Sequence, residues 1–115
     1  MFYIGLDWAD DHHNVYVTDD SAQRLDSFQI KHNYQGFQLL KSQVEKLTPD
    51  KSQVLFAMEK SQGLLAGFIL QQGYSLYFIN PKAVDRYRDR YRASGAIDDD
   101  FDAMVLANIL RTDRA

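Results

Sequence analysis

Residues 2–8 are almost continuously apolar up to Asp7, and this run predicts a strand buried on both faces. Asn14-Val15-Tyr16-Val17-Thr18 and the stretch Arg24 to Lys31, with Leu25, Phe28 and Ile30, are shorter and partly alternating. They predict half-exposed strands. The links Ala9 to His13 and Asp19 to Gln23 are short and polar, which favours antiparallel pairing and a three-stranded meander.

The period then changes. Asn33 is an N-cap candidate, and Phe37, Leu40, Val44 and Leu47 follow at helical spacing until Pro49. Gln53 to Met58 predicts a strand. Ser61 is placed to cap a helix carrying Leu64, Leu65, Phe68 and Ile69, with Gly73 as its stop. Gly63 and Gly67 have the spacing of a small-residue packing seam. Tyr74 to Ile79 is again apolar, and Asn80-Pro81 pairs an N-cap with a first-turn proline. Residues 99–111 resume helical spacing. The order β-β-β-α-β-α-β-α-α implies a mixed five-stranded α/β sheet with parallel crossovers and helices on both faces. Val105-Leu106 and Ile109-Leu110 carry much apolar surface for one terminal helix, so residues 1–115 are expected to be one domain from a longer protein.

Composition narrows the class. At 115 residues, 45% hydrophobic and 25% charged, the chain suits one soluble domain with a real core. It has no cysteine, which excludes thiolate metal sites and disulfides and fits a cytoplasmic protein. No apolar run approaches the ~20 residues of a membrane helix, and no signal peptide is expected. A net charge of -3 does not announce a nucleic-acid binder. The charge is uneven, however. Lys82, Arg86, Arg88, Arg90 and Arg92 outnumber Asp85 and Asp89 in one segment. These bases could bind phosphate, with Tyr87 and Tyr91 as stacking rings. A solvated helix with Asp85–Arg88 and Asp89–Arg92 pairs explains the segment equally well.

The candidate chemistry is acidic. Asp7 and Glu59 each close an apolar strand, and Asp99 and Asp102 share a face at the start of a helix. If strands 1 and 4 are neighbours, Asp7 and Glu59 emerge side by side, where parallel strands present ligands. Crowded carboxylates repel unless a hard divalent ion makes them ligands. Two such ions can activate a nucleophile and stabilise the leaving oxygen in phosphodiester cleavage. Any one of these acids alone reads more simply as a turn or cap residue. An EF-hand over Asp98, Asp100 and Asp102 fails, because Ala103 stands at the turn glycine and Ile109 at the bidentate glutamate. A sugar-kinase-like phosphate loop fails too, since Trp8, Ala9 and Asp10 follow Asp7 where glycine is needed. His12 and His13 read as hairpin residues before metal ligands.

Taken together, Ile4-Gly5-Leu6-Asp7, Ala57-Met58-Glu59, Ile79-Asn80-Pro81-Lys82 and Ser94-Gly95-Ala96-Ile97-Asp98-Asp99-Asp100-Phe101-Asp102-Ala103 form a pattern. Leu106-Ala107 and Leu110-Arg111-Thr112-Asp113 extend it. The chain resembles the N-terminal RuvC-like domain of the DEDD insertion-sequence transposases, a group that includes pilin-gene invertases and recombinases guided by a bridge RNA. The resemblance implies an RNase H-like fold, with Asp7, Glu59, Asp99 and Asp102 as the catalytic, metal-holding acids in order. It implies Mg²⁺ (or Mn²⁺) as cofactor, and DNA and a guide RNA as partners. It further implies a homo-oligomeric full-length enzyme and no membrane. Ile97 is a departure, since many relatives carry lysine there. The family's downstream coiled coil and serine-bearing domain are expected to lie outside residues 1–115, and neither Ser61 nor Ser94 matches the serine motif. A stand-alone resolvase-like nuclease and a non-catalytic nucleic-acid-binding or dimerisation module are the rival readings.

Overall fold

The computed structural model describes residues 1–59, 63–92 and 101–113. Ser61, and Ser94 to Asp100 including Asp99, lie outside the described residues. The strands are β1 (Phe2–Ala9), β2 (His12–Asp19), β3 (Arg24–Lys31), β4 (Val54–Met58) and β5 (Ser75–Phe78). The helices are α1 (Tyr34–Leu47), α2 (Leu64–Gln71), α3 (Pro81–Arg92) and α4 (Phe101–Asp113), with a 3-10 turn at Lys51–Gln53.

One mixed sheet has the order β3-β2-β1-β4-β5. The meander β1-β2-β3 is antiparallel, while β4 runs parallel to β1, and β5 parallel to β4. This is the expected RNase H-like α/β arrangement. β1 is central and its residues Tyr3 to Leu6 are buried, as a strand covered on both faces requires. The β1–β2 turn places Asp10 at φ 58, and the β2–β3 turn places Ala22 at φ 63. Asp tolerates that left-handed conformation, whereas Ala does so at a cost. The Asp19 carboxylate organises the second turn by accepting from the Ser21 and Gln23 amides at 2.9 and 3.1 Å.

Alternation splits the core into two layers. On one face Ile4, Leu6, Val15, Val17, Phe56 and Met58 meet Phe37, Leu40 and Val44 of α1 and Leu65 and Ile69 of α2. On the other, Tyr3, Tyr16, Leu55 and Ala57 meet Val84 and Tyr87 of α3 and the inner face of α4. Asn33 caps α1 as expected, its Oδ1 accepting from the Gly36 amide at 2.8 Å. Asn80 likewise accepts from the Lys82 amide at 2.8 Å at the start of α3. Gly73 ends α2 at φ 89.

Three expectations change. β2 is not half-exposed: His13 to Thr18 are all buried, because helices cover both faces of the sheet there. Gly63 and Gly67 form no packing seam, because a Cβ on either would meet nothing within 4 Å. Gly63 instead takes φ 48 at the start of α2. The apolar pairs of α4 are not left over either. Val105, Leu106, Ile109 and Leu110 are all buried against the sheet and α3.

The contact that seats α4 is unusually close. A Cβ on Gly5 would lie 1.9 Å from the Ala103 carbonyl oxygen and 2.9 Å from the Ala107 amide nitrogen. Only a glycine in the central strand, facing alanines in the helix, lets the two backbones approach this far. That approach brings the first turn of α4 to the sheet face carrying Tyr3 and Gly5.

Candidate metal centre and its comparisons

Asp7 continues the Tyr3-Gly5 side of β1, so it points to the face that α4 covers. Glu59 follows β4 directly. β1 and β4 run in register through Gly5↔Ala57 and Leu6↔Met58, so the next rung brings Asp7 and Glu59 to the same end of the sheet. Asp102 sits in the first turn of α4, where the helix dipole favours a negative charge. Three elements therefore bring three acids to the same end of the sheet, near enough for the charges of Glu59 and Asp102 to act on Asp7.

Electrostatics record the convergence. The Asp7 carboxyl is raised from 3.8 to about 6, first by burial, then by the charges of Asp102 and Glu59. Arg88 and His12 oppose the rise. Such a shift marks an acid that is desolvated first and crowded by like charge second, a frequent feature of functional sites.

Among the described residues, Arg88 brings a guanidinium to this cluster. Its Nε donates to Asp102 Oδ1 at 2.8 Å, and its Nη2 lies 2.8 Å from the same oxygen. Its Nη1 donates to Asp85 Oδ1 at 3.3 Å, the pair expected from helical spacing. Burial works against the guanidinium charge, but Asp102, then Asp85 and Glu59, outweigh it and hold its pKa above the ordinary range.

The other candidate bases behave differently. Lys82, Arg86 and Arg90 are exposed on α3, and Arg90 lies over the Tyr87 ring at 5.2 Å. Tyr87 is itself buried against α4, so it serves the core and offers no exposed face to a base. Arg92 ends α3; Asp99 lies outside the described residues.

Sequence reasoning missed His32. His13 is buried, and its Nε2 lies 2.9 Å from His32 Nδ1. Trp8 packs edge-on against both rings at 4.5 and 4.2 Å. Burial, then His32 and His12, lower the His13 pKa from 6.5 to about 4. The cross-strand pair Trp8↔His13 was the one available signal, and it needed the hairpin register. His13 reads as a neutral core residue packed against His32 and Trp8.

The carboxylate oxygens of Asp7, Glu59 and Asp102 are hard donors of the kind Mg²⁺ or Mn²⁺ takes. Their mutual repulsion is what such an ion would relieve. Among the described residues no group of three His, Cys, Asp or Glu side chains is already set to hold a metal, and one oxygen of Asp102 is committed to Arg88.

Residues 4–115 match the family of IS110-type DEDD transposases, described as "Transposase". The chain belongs to this DEDD transposase family. It is 32% identical over 113 residues to the putative transposase y4uE of Sinorhizobium fredii, covering 96% of this chain and 32% of that protein. It is 38% identical over 112 residues to the mini-circle putative transposase for IS117 of Streptomyces coelicolor, covering 96% of this chain and 27% of that one. The chain thus spans between a quarter and a third of the length of the curated relatives it matches. In this DEDD family member, Asp7, Glu59 and Asp102 are the acids that the described structure brings together. Among the described residues no helix is long and apolar enough to cross a membrane.

Proposed function

We propose that this chain is the acid-bearing catalytic domain of an IS110-type transposase, acting in metal-dependent DNA strand cleavage and exchange during transposition. Asp7, Glu59, Asp99 and Asp102 are the proposed ligands of Mg²⁺ or Mn²⁺. A bound divalent ion supplies Lewis-acid stabilisation of the charge that develops on the scissile phosphate. The protein's share is to fix the carboxylates: Asp7 on a central strand, Glu59 on the adjacent rung, Asp102 on a helix seated on Gly5. Exposed Lys82, Arg86 and Arg90, together with Arg88 and Arg92, are proposed to meet nucleic-acid phosphates from α3.

The single observation that carries this reading is the convergence of Asp7, Glu59 and Asp102, recorded in the raised Asp7 carboxyl. The family membership supports it. For a guide RNA, for a homo-oligomer of the full-length enzyme and for a serine-bearing partner domain, the support is the family resemblance alone. Guide pairing would then read the DNA sequence in place of side chains.

Calorimetric titration of the chain with Mn²⁺ tests the metal centre. Binding heats are expected for the parent and should vanish in Asp7→Asn/Glu59→Gln. Equal heats in both would refute a shared site. Cleavage of a branched DNA by these 115 residues alone would instead favour a stand-alone resolvase-like nuclease.

A further inference from the structure

We propose that Arg88 is the built-in counter-ion of the acid cluster: its guanidinium holds Asp102 in the metal-free protein, and a divalent ion binds only by displacing it. The inference rests on the metal-centre reading above and adds a residue that sets the affinity of that centre.

The geometry makes Arg88 a competitor rather than a bystander. Two of its N–H groups converge on a single oxygen, Asp102 Oδ1, at 2.8 Å each. An oxygen that accepts both N–H groups of a guanidinium fork has its lone pairs engaged and its charge offset, so it is a weaker ligand for a metal until the fork leaves. The same guanidinium acts electrostatically on Asp7 and Glu59. Its charge therefore acts on all three described acids, while its hydrogen bonds within the cluster go to Asp102. Its anchor is independent of them, because the Asp85 contact on its own helix keeps the side chain nearby after Asp102 is given up. Arg88 and Asp102 have side chains 26% and 35% exposed, so the pair is neither sealed in the core nor fully hydrated. An ion pair of that kind is strong enough to organise Asp102 and weak enough to exchange.

The bland alternative is that Arg88 merely props Asp102 in a productive orientation. The two roles have opposite consequences. A competitor weakens metal binding, so its removal tightens binding. A prop supports metal binding, so its removal loosens it. Once displaced, a planar fork that fits carboxylate also fits phosphate, which reconciles this contact with the proposed nucleic-acid role of α3.

The test compares the parent chain with Arg88→Gln, which keeps an N–H donor but is shorter and loses the charge, and with Arg88→Lys, which keeps the charge but loses the fork. Metal-free melting and circular dichroism establish that each variant folds. Calorimetric titration with Mn²⁺ is expected to give a Kd about tenfold lower for Arg88→Gln, equivalent to ~1.4 kcal/mol. Arg88→Lys should fall between that variant and the parent. In the parent, the Arg88 Nε–H resonance should shift and lose its protection from solvent exchange as Mg²⁺ is added. Equal or weaker Mn²⁺ binding by Arg88→Gln, with the parent still binding, would overturn the counter-ion role and leave the metal centre standing. Absence of binding by parent and variants alike would overturn both. An Nε–H signal untouched by saturating Mg²⁺ would also defeat the displacement.

Discussion

Replacing Asp7 by asparagine should make the metal-free protein more stable near neutral pH, although it removes a proposed catalytic group. The Asp7 carboxyl is pushed from 3.8 to about 6 by burial and by Asp102 and Glu59. At about 1.36 kcal/mol per pH unit, keeping it ionised in the folded state costs up to ~3 kcal/mol. Partial solvent access lowers the realistic figure to ~1–2 kcal/mol. The sign follows from proton binding. Between 3.8 and about 6 the folded protein binds more protons at Asp7 than the unfolded chain does, so stability falls as pH rises through that window. The penalty is absent below the unfolded value and complete above the folded one. Asparagine has nearly the same shape and no charge to desolvate. Urea unfolding followed by circular dichroism, in EDTA and from about pH 4 to about pH 8, reads both consequences. Asp7→Asn is expected to be more stable near neutral pH by ~1–2 kcal/mol and to lose this part of the decline with pH. A variant that is less stable than the parent, with the same pH dependence, would refute the picture of Asp7 as a strained acid.

Other consequences are as specific. Gly5→Ala forces a Cβ to 1.9 Å from the Ala103 carbonyl oxygen, so α4 must move off β1; a loss of at least ~1–3 kcal/mol is expected in thermal unfolding, and an unchanged melt would contradict the close approach. Ala22→Gly relieves a left-handed alanine at φ 63; a gain of ~0.5–1 kcal/mol is expected, net of the entropy glycine adds to the unfolded chain. His13 should remain neutral down to about pH 4 in an NMR titration of its ring. Because its folded value lies below the unfolded 6.5, the stability it contributes is present above that value and lost as pH falls towards about 4. A ring that titrates near 6.5 would show that His13 is not buried against His32.

Much of the fold was written in local patterns. The alternating stretches became β2 and β3, and Asn33 and Asn80-Pro81 marked the starts of α1 and α3. The adjacency of Asp7 and Glu59 followed from one topological inference, that β4 lies parallel beside β1. What stayed hidden depends on contacts between distant segments. The register shift between Val17 and Thr18 arises where β3 re-pairs after the turn organised by Asp19, and no periodicity encodes it. Helical spacing finds Asp85 as a partner for Arg88 but not Asp102, which is 14 residues away on another helix. Tyr87 looked like a stacking ring because sequence shows an aromatic among bases, not which side of α3 meets α4. The His13–His32 pair, 19 residues apart, likewise needed the β2–β3 register.

The three described acids are held by constraints of different stiffness, and this bears on how the centre can work. Asp7 and Glu59 extend from neighbouring parallel strands whose residues are buried on both faces, so their separation is set by the sheet. Asp102 is set by the seating of α4, and hence by the fit of Ala103 and Ala107 on Gly5. A methyl group at Gly5 would therefore move one acid while leaving two in place. The stability of the metal-free fold and its readiness for a cation pull in opposite directions at this point. Every carboxylate brought closer raises repulsion, as the Asp7 carboxyl shows, yet improves the site for a divalent ion. Arg88 eases that conflict by neutralising Asp102, the acid on the helix rather than those on the sheet. Exchange of guanidinium for metal then requires no strand to move, only a side chain to swing from one carboxylate while Asp85 retains it.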